Sequence, residues 1–384
     1  MRVLIDYRPA LRERSGSGEY THQLATALLA AYPATLSPAL ELTLFSSSWS
    51  DRLAASPNLP AAAAVDRRIP VRLLNLAWHR LGWPPVETLA GGAFDVVHSP
   101  HPLLTPSRAA AQVITIHDLN FLTHPERTRA EIRRDYPALA RDHAHRADAV
   151  LVPSACTAGE VERLLGLPRE RLTICPPGAP GWTPRAAAPK DGYVLFFSTL
   201  EPRKNVAGLL DAWERLLSGP NEAGHYRDLP ELVLAGRATD EAKPWLNRIN
   251  RAPLQGHVRH IGYVNAGDRR ALYEGARLLV QPSFDEGFGM TVLEAMTLGV
   301  PVVAADRGSL PEVLGGAGVL VNPDQPADVA GGIARVLDDA GLGAACAAKG
   351  IARAAAFRWE DTAHRVFEMY RQAIERRAQA PRRG

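Results

Sequence analysis

Two acidic residues, Glu286 and Glu294, bracket a glycine-containing stretch, Glu286-Gly287-Phe288-Gly289, in the C-terminal half of the chain. Carboxylates only accept hydrogen bonds and suit diols, so the pair could hold the hydroxyls of a sugar and of a ribose. Gly287 and Gly289 let backbone approach a ligand closely, and a helix starting behind them turns its positive end toward an anion. Glu294 stands eight residues after Glu286, about two helical turns on, which puts it on a similar face. A helix whose glutamates are merely solvated is the plain alternative. A second stretch, Thr199-Leu200-Glu201-Pro202-Arg203-Lys204-Asn205, sets adjacent cations at a strand-to-helix turn. Arg203 and Lys204 would there neutralise a diphosphate and the charge that develops on it as a leaving group. A surface Arg-Lys pair beside a turn is the alternative reading. His117 closes an apolar run and precedes Asp118, at the carboxyl end of a strand where α/β folds bind ligands. A buried, satisfied histidine is the competing explanation.

These residues need rigid elements to hold them. Short apolar runs occur at 3–5, 42–45, 95–98, 113–117 and 150–153, each followed by a helix-period segment. After the Pro- and Ala-rich stretch 176–189 they resume at 193–197, 232–235, 260–263, 278–281, 300–304 and 319–321. Continuous rather than alternating hydrophobicity predicts parallel strands covered on both faces, and strand–helix alternation predicts doubly wound sheets. Asn205 is a good N-cap for a helix carrying Val206, Leu209, Leu210, Trp213 and Leu217. The stretch 359–378 reads as an amphipathic helix with no strand after it. The expected layout is a Rossmann-like domain over 1–180, a second over 190–355, and a terminal segment over 356–384.

Bulk composition narrows the partners. A length of 384 residues allows two ordinary domains. A net charge of +3 and a pI near 8.8 argue against nucleic acid. Cys156, Cys175 and Cys346 form no metal or redox spacing, and a reducing cytoplasmic compartment is expected. No Asp-x-Asp pair occurs, so the usual way of holding a metal on a sugar nucleotide is absent. His98 and His101 alone are poor grounds for zinc. Gly16 and Gly18 lack the third glycine of a dinucleotide fingerprint. No run approaches a membrane span. One stretch, Arg67-Arg68-Ile69-Pro70-Val71-Arg72-Leu73-Leu74-Asn75-Leu76-Ala77-Trp78-His79-Arg80, mixes bases with apolar residues and could rest on anionic lipid. A domain surface with ordinary core contacts is the alternative.

Taken in order, the motifs resemble the large family of retaining GT-B glycosyltransferases (group 1, family 4). The resemblance rests on Glu286-x7-Glu294, on Arg203-Lys204-Asn205, on the Gly-x-Pro-Val run that starts at Gly299, and on Leu310-Pro311-Glu312. It extends to Ser15-Gly16-Ser17-Gly18-Glu19-Tyr20, Thr115-Ile116-His117-Asp118-Leu119 and Val152-Pro153-Ser154, and so covers nearly the whole chain.

The resemblance implies two Rossmann-like domains facing a cleft, with donor nucleotide mostly on the second and acceptor on the first. It implies that Arg203 and Lys204 hold the donor diphosphate and Glu294 the ribose. Glu286, with the backbone of Gly287, Phe288 and Gly289, would hold the transferred sugar. His117 would reach the sugar near the reacting carbon, and Gly16 and Gly18 would form a flexible loop over the phosphate. The terminal helix would fold back on the first domain. No metal or other cofactor is implied. The donor would be a nucleoside-diphosphate sugar, with a lean to GDP-mannose, and the acceptor a glycan or lipid-linked hydroxyl, with peripheral contact at the inner membrane face as a further expectation. One departure stands out: where many members carry Gly-Arg early in the diphosphate turn, this chain has Phe197-Ser198. A sugar-nucleotide epimerase and a non-catalytic sugar-nucleotide-binding protein are the competing readings.

Overall fold

The computed structural model describes residues 1–11, 14, 16–35, 37–53, 60–125, 130–219 and 229–379. The chain forms two compact units, one of Met1–Gly178 with the chain from Arg358 onward, the other of Ala179–Phe357. The residues of 176–189 are therefore divided between them.

In the first unit a seven-stranded sheet runs β3-β2-β1-β4-β5-β6-β7. Its strands are β1 (Arg2–Asp6), β2 (Glu41–Ser47), β3 (Ala63–Arg67), β4 (Val96–Ser99), β5 (Ala111–Thr115), β6 (Ala149–Val152) and β7 (Leu172–Ile174), all paired in parallel. The order reverses between β1 and β4. Strand β3 is an Ala-rich edge with no buried residue, and β7 is three residues long and only half-buried. Neither is legible from periodicity, since both are too short or too exposed to show the unbroken buried run that marks a covered strand. Strand β5 stops at Thr115, so His117 lies in the loop beyond it, not on the strand as expected.

The terminal helix, Trp359–Gln379, packs along the helix Ser17–Ala31 and on strands β4, β5 and β6. Phe367 stacks on Tyr32 with ring centroids 3.8 Å apart, and Thr362 donates to the Pro176 carbonyl at 2.6 Å. Buried Tyr370 reaches the fully buried His98 on β4 at 2.7 Å.

The second unit holds a six-stranded parallel sheet in the order β10-β9-β8-β11-β12-β13. Its strands are β8 (Tyr193–Phe197), β9 (Leu232–Ala235), β10 (Val258–Gly262), β11 (Ala276–Gln281), β12 (Val302–Ala305) and β13 (Val319–Val321). Successive strand residues point to opposite faces, and both faces are covered. Val194 and Phe196 of β8 enter one apolar cluster with the helices Val206–Leu217 and Pro326–Asp338. Leu195 and Phe197 enter another with the helix Met290–Leu298. This explains why β8 reads as an unbroken apolar run: neither face can be polar. The order reverses between β8 and β11, which opens a crevice at their carboxyl ends.

Candidate active site

The two turns that leave β8 and β11 flank this crevice. After β8 the chain makes a single 3₁₀ turn, Pro202–Lys204, and then starts the helix Val206–Leu217 from Asn205. Asn205 is left-handed (φ 57°), and its side chain accepts from the Gly208 amide at 3.2 Å as an N-cap. The same side chain donates from Nδ2 to the carbonyls of Pro282 at 3.1 Å and Pro323 at 2.8 Å. Phe284 N donates to the Arg203 carbonyl at 2.9 Å. The turns after β8, β11 and β13 are therefore tied together through one asparagine and one backbone bond.

Across the crevice Lys204 Nζ meets both oxygens of Glu286, at 2.7 and 2.6 Å. Both residues are buried. Glu286 Oε1 also accepts from Gln281 Nε2 and from Ser283 Oγ, each at 2.9 Å, and Arg203 Nη1 lies 3.7 Å from Oε2. Burial alone would raise the Glu286 pKa, but Lys204 and Arg203 outweigh it and hold the carboxyl below its ordinary value, so it is ionised at neutral pH. Arg203 is itself held by Glu201 at 2.6 Å and donates to the Asp285 carbonyl at 3.3 Å. Ser309 clamps the Glu286 carbonyl from its Oγ at 2.8 Å and its amide at 3.1 Å. Gly308 lies so close that a Cβ there would come 2.8 Å from Glu286 O, which requires glycine at this approach.

Glu294 is in the helix Met290–Leu298, which starts only after Gly289. Glu286 is thus not helical, and the eight-residue spacing does not place the two acids on one helix face; each has its own partners. Glu294 Oε1 accepts from Arg269 Nη1 at 3.0 Å and Oε2 from the Tyr273 hydroxyl at 2.8 Å. It is buried, so the solvated alternative fails for both glutamates. The Arg269 guanidinium also lies 5.9 Å from the Phe197 ring, at the position where the family's Gly-Arg was expected.

The chain's first half matches the model for Glycosyltransferase Family 4 over residues 14–180, and its second half matches Glycosyl transferases group 1 over 184–353. An O-antigen chain mannosyltransferase B of Escherichia coli is 32% identical over 289 residues, which cover 72% of this chain and 74% of that protein. The chain belongs to the group 1, family 4 glycosyltransferases. The fold of this glycosyltransferase is GT-B. A sucrose-phosphate synthase of Thermosynechococcus elongatus superposes with a TM-score of 0.76 at 20% identity, covering 97% of this chain and 98% of that one. HepE of Anabaena, crystallised with UDP-glucose, superposes at 0.68 with 18% identity, over 96% and 98% of the two chains. At these identities the likeness speaks for the fold only.

The remaining candidate residues of the glycosyltransferase fall in different settings. Phe288 is buried in the core and meets Phe357 edge-on at 5.6 Å, so only its backbone is left for a ligand. Gly289 (φ 97°) caps the helix Met290–Leu298, and a Cβ there would strike Leu310 at 2.7 Å. Gly287 lies in the turn between Glu286 and that cap. In the first unit Gly16 (φ 50°) is the N-cap of the helix Ser17–Ala31. Gly18 belongs to the first turn of that helix, where a Cβ would sit 2.4 Å from the Pro9 carbonyl oxygen. Gly18 is therefore a packing glycine in a helix, not part of a loop as expected, and Ser15 lies outside the described residues. The His117 ring bonds the Pro100 carbonyl and meets Tyr20 edge-on at 5.3 Å, while its Nε2 has no partner among the described residues. Burial lowers its pKa to about 4, so at neutral pH it is an uncharged imidazole able to bond a hydroxyl.

Sequence reasoning missed Arg269, Tyr273, Gln281, Ser283 and Ser309. Gln281 and Ser283 stood beside the Glu286 motif and carried a faint local signal. Ser309 stood directly before Leu310-Pro311-Glu312, whereas Arg269 and Tyr273 had no such signal, because their contacts with Glu294 join different elements. Among the described residues no group of three or more His, Cys, Asp or Glu side chains is arranged to hold a metal ion.

Asn205 offers a direct test of how the turns are held. Asn205→Gly keeps the left-handed backbone but removes the cap and both carbonyl bonds. It is expected to lower unfolding free energy by about 1–2 kcal/mol in urea titrations. An unchanged midpoint would mean that the turns hold themselves.

Proposed function

We propose that this glycosyltransferase moves a hexosyl unit, mannose in the favoured reading, from a nucleoside-diphosphate sugar to a hydroxyl of a glycan or lipid-linked acceptor, with retention and without a metal. The observation that carries the reading is the buried Lys204–Glu286 pair across the β8/β11 crevice, with Arg203 beside it. A cation already aimed by a carboxylate needs little reorganisation when a diphosphate arrives, and that preorganisation lowers the barrier to its departure. Nζ has three donors, of which Glu286 takes two. Arg203 and Lys204 then meet the diphosphate, Glu286 and the backbone of 287–289 the sugar, and Glu294 the ribose diol. His117 Nε2 is suited to accept from a sugar hydroxyl.

In this reading the anomeric C–O bond breaks toward the diphosphate and the acceptor oxygen bonds the same face. The acceptor proton passes to the departing phosphate. Glu286 is engaged by Lys204, Gln281 and Ser283, a poor state for a covalent nucleophile. Mannose is favoured by the mannosyltransferase relative, and a nucleotide-sugar donor by the UDP-glucose complex of HepE.

A thermal-shift screen against GDP-mannose, UDP-glucose, UDP-N-acetylglucosamine and the free nucleotides tests the donor. Stabilisation by GDP-mannose and GDP, with little from the uridine compounds, is the expected result. Stabilisation by the uridine compounds alone would overturn the mannose reading. Donor conversion with no acceptor present would favour an epimerase instead.

A further inference from the structure

We propose that residues 67–83 of the first unit form a docking face for a lipid surface bearing anionic headgroups. The face lies apart from the donor-site residues in the chain and does not depend on their roles.

Among the described residues eight large hydrophobic side chains are exposed, and five of them, Val71, Leu73, Leu76, Leu81 and Trp83, fall between 71 and 83. Leu73 is 60% exposed, Leu76 59%, Leu81 74% and Trp83 64%. Scattered exposed apolar residues are ordinary, but a concentration of this kind marks an interaction surface. The local architecture explains how it is held outward. The short helix Val71–Leu76 continues into a single π turn, Ala77–Leu81. Leu74 and Trp78, four residues apart, point inward into the apolar cluster with Leu4, Phe45 and Val97. Trp78 Nε1 donates to the Pro84 carbonyl at 2.9 Å, and the Arg8 guanidinium sits 4.9 Å over its ring. With that side anchored, Leu73 and Leu76 follow each other on the outer side, and Leu81 comes one π turn after Leu76.

Charge selects the occupant. Arg67, Arg68, Arg72 and Arg80 lie in the interval between Asp66 and Glu87, which contains no acidic residue. All four arginines are exposed. Exposed apolar side chains and a tryptophan interspersed along the chain with exposed arginines suit the boundary between headgroups and acyl chains, where the apolar groups enter and the cations meet phosphate. An apolar protein partner would not call for an acid-free interval of four arginines. The face is small, so the attachment is reversible. Among the described residues no helix is long and apolar enough to cross a membrane.

The test is flotation of the full chain with phosphatidylcholine vesicles, with and without phosphatidylglycerol. Wild type is expected to float with the anionic vesicles, to stay behind with pure phosphatidylcholine, and to be released by high salt. The double variant Leu81→Ser/Trp83→Ser is expected to lower partitioning by about tenfold or more. Arg68→Glu/Arg72→Glu should lower it by about fivefold per charge. All four positions are exposed, so the melting temperature and the donor-induced thermal shift should stay at wild-type values. Absence of wild-type binding to anionic vesicles overturns the proposal, as does equal binding by the variants. A wild-type dimer that Leu81→Ser/Trp83→Ser dissolves would assign the face to a second copy and overturn it too. Any of these outcomes leaves the glycosyl-transfer reading standing, because the donor shift is measured without lipid.

Discussion

Lys204→Ala is expected to lower kcat/KM by a factor of about 100–1000, or about 3–4 kcal/mol of barrier, the scale of removing one preorganised donor from a developing anion. Two effects add. In the proposed reaction the substitution removes the cation that faces the leaving diphosphate. It also takes from Glu286 the partner that binds both its oxygens, leaving Ser283, Gln281 and the more distant Arg203. A buried carboxylate that loses its main cation either rises in pKa or reorients, and in both cases the side of the crevice proposed to hold the sugar is disturbed. Lys204→Arg should recover only part of the activity, because the bulkier planar guanidinium, although it can pair with the carboxylate, must seat where a compact ammonium is buried. Steady-state kinetics of the two variants, with urea unfolding to register any loss of stability, separate catalysis from folding. Turnover of Lys204→Ala within a few-fold of wild type would take Lys204 out of the mechanism.

The second large effect is a loss of stability in mild acid through His98. Burial pushes the His98 imidazole down to about 3, and the neighbouring His117 and His101 push in the same direction. The ring lies between the Tyr370 hydroxyl at 2.7 Å and Thr115 Oγ1 at 2.8 Å. In the unfolded chain the same group titrates near 6.5. The unfolded state therefore binds the proton first as pH falls. The stability is fully present above about pH 6.5 and is lost progressively as pH drops toward the folded value, at about 1.4 kcal/mol per pH unit. Between about pH 6.5 and about pH 4 this one residue is expected to cost about 3 kcal/mol. His98→Gln, neutral throughout, should start less stable at neutral pH and show a flatter dependence over that interval. Urea unfolding of both proteins at the two pH values gives the difference directly. Parallel losses in the two proteins would show that His98 does not carry the acid sensitivity. Because Tyr370 lies on the terminal helix, release of Trp359–Gln379 is expected to accompany the transition, visible as early amide exchange in that helix.

The departures from sequence expectation share one origin. The strands whose both faces are covered, such as 193–197 and 232–235, were legible to the residue because an unbroken apolar run is what double coverage demands. Edge strand β3 was not, since exposed alanines meet no such demand. The Asn205 cap was legible because a cap is a local bond, closed within three residues by the Gly208 amide. Its other two bonds, to Pro282 and Pro323, span 77 and 118 residues and leave no local trace. The Glu286–Glu294 spacing misled for the complementary reason: a helical period does not carry across a turn that the left-handed Gly289 interrupts.

What the sequence by itself determined is the set of elements and the chemistry available at their ends. Apolar runs, breaks and caps are short-range signals, and together they dictated two α/β units with cations after one strand and a carboxylate after another. Which of those groups meet was decided only by tertiary structure. Lys204 and Glu286 are 82 residues apart and touch because the sheet order places β8 beside β11. Glu294 finds Arg269 and Tyr273, and His98 finds Tyr370 across 272 residues, through the packing of separate elements. Whether Leu73, Leu76, Leu81 and Trp83 lie inside or outside was likewise beyond the pattern, since their spacing suits a core helix equally well. The physical reason is that local propensity fixes where a side chain sits on its own element, whereas its neighbours, burial and pKa depend on the order in which the elements assemble.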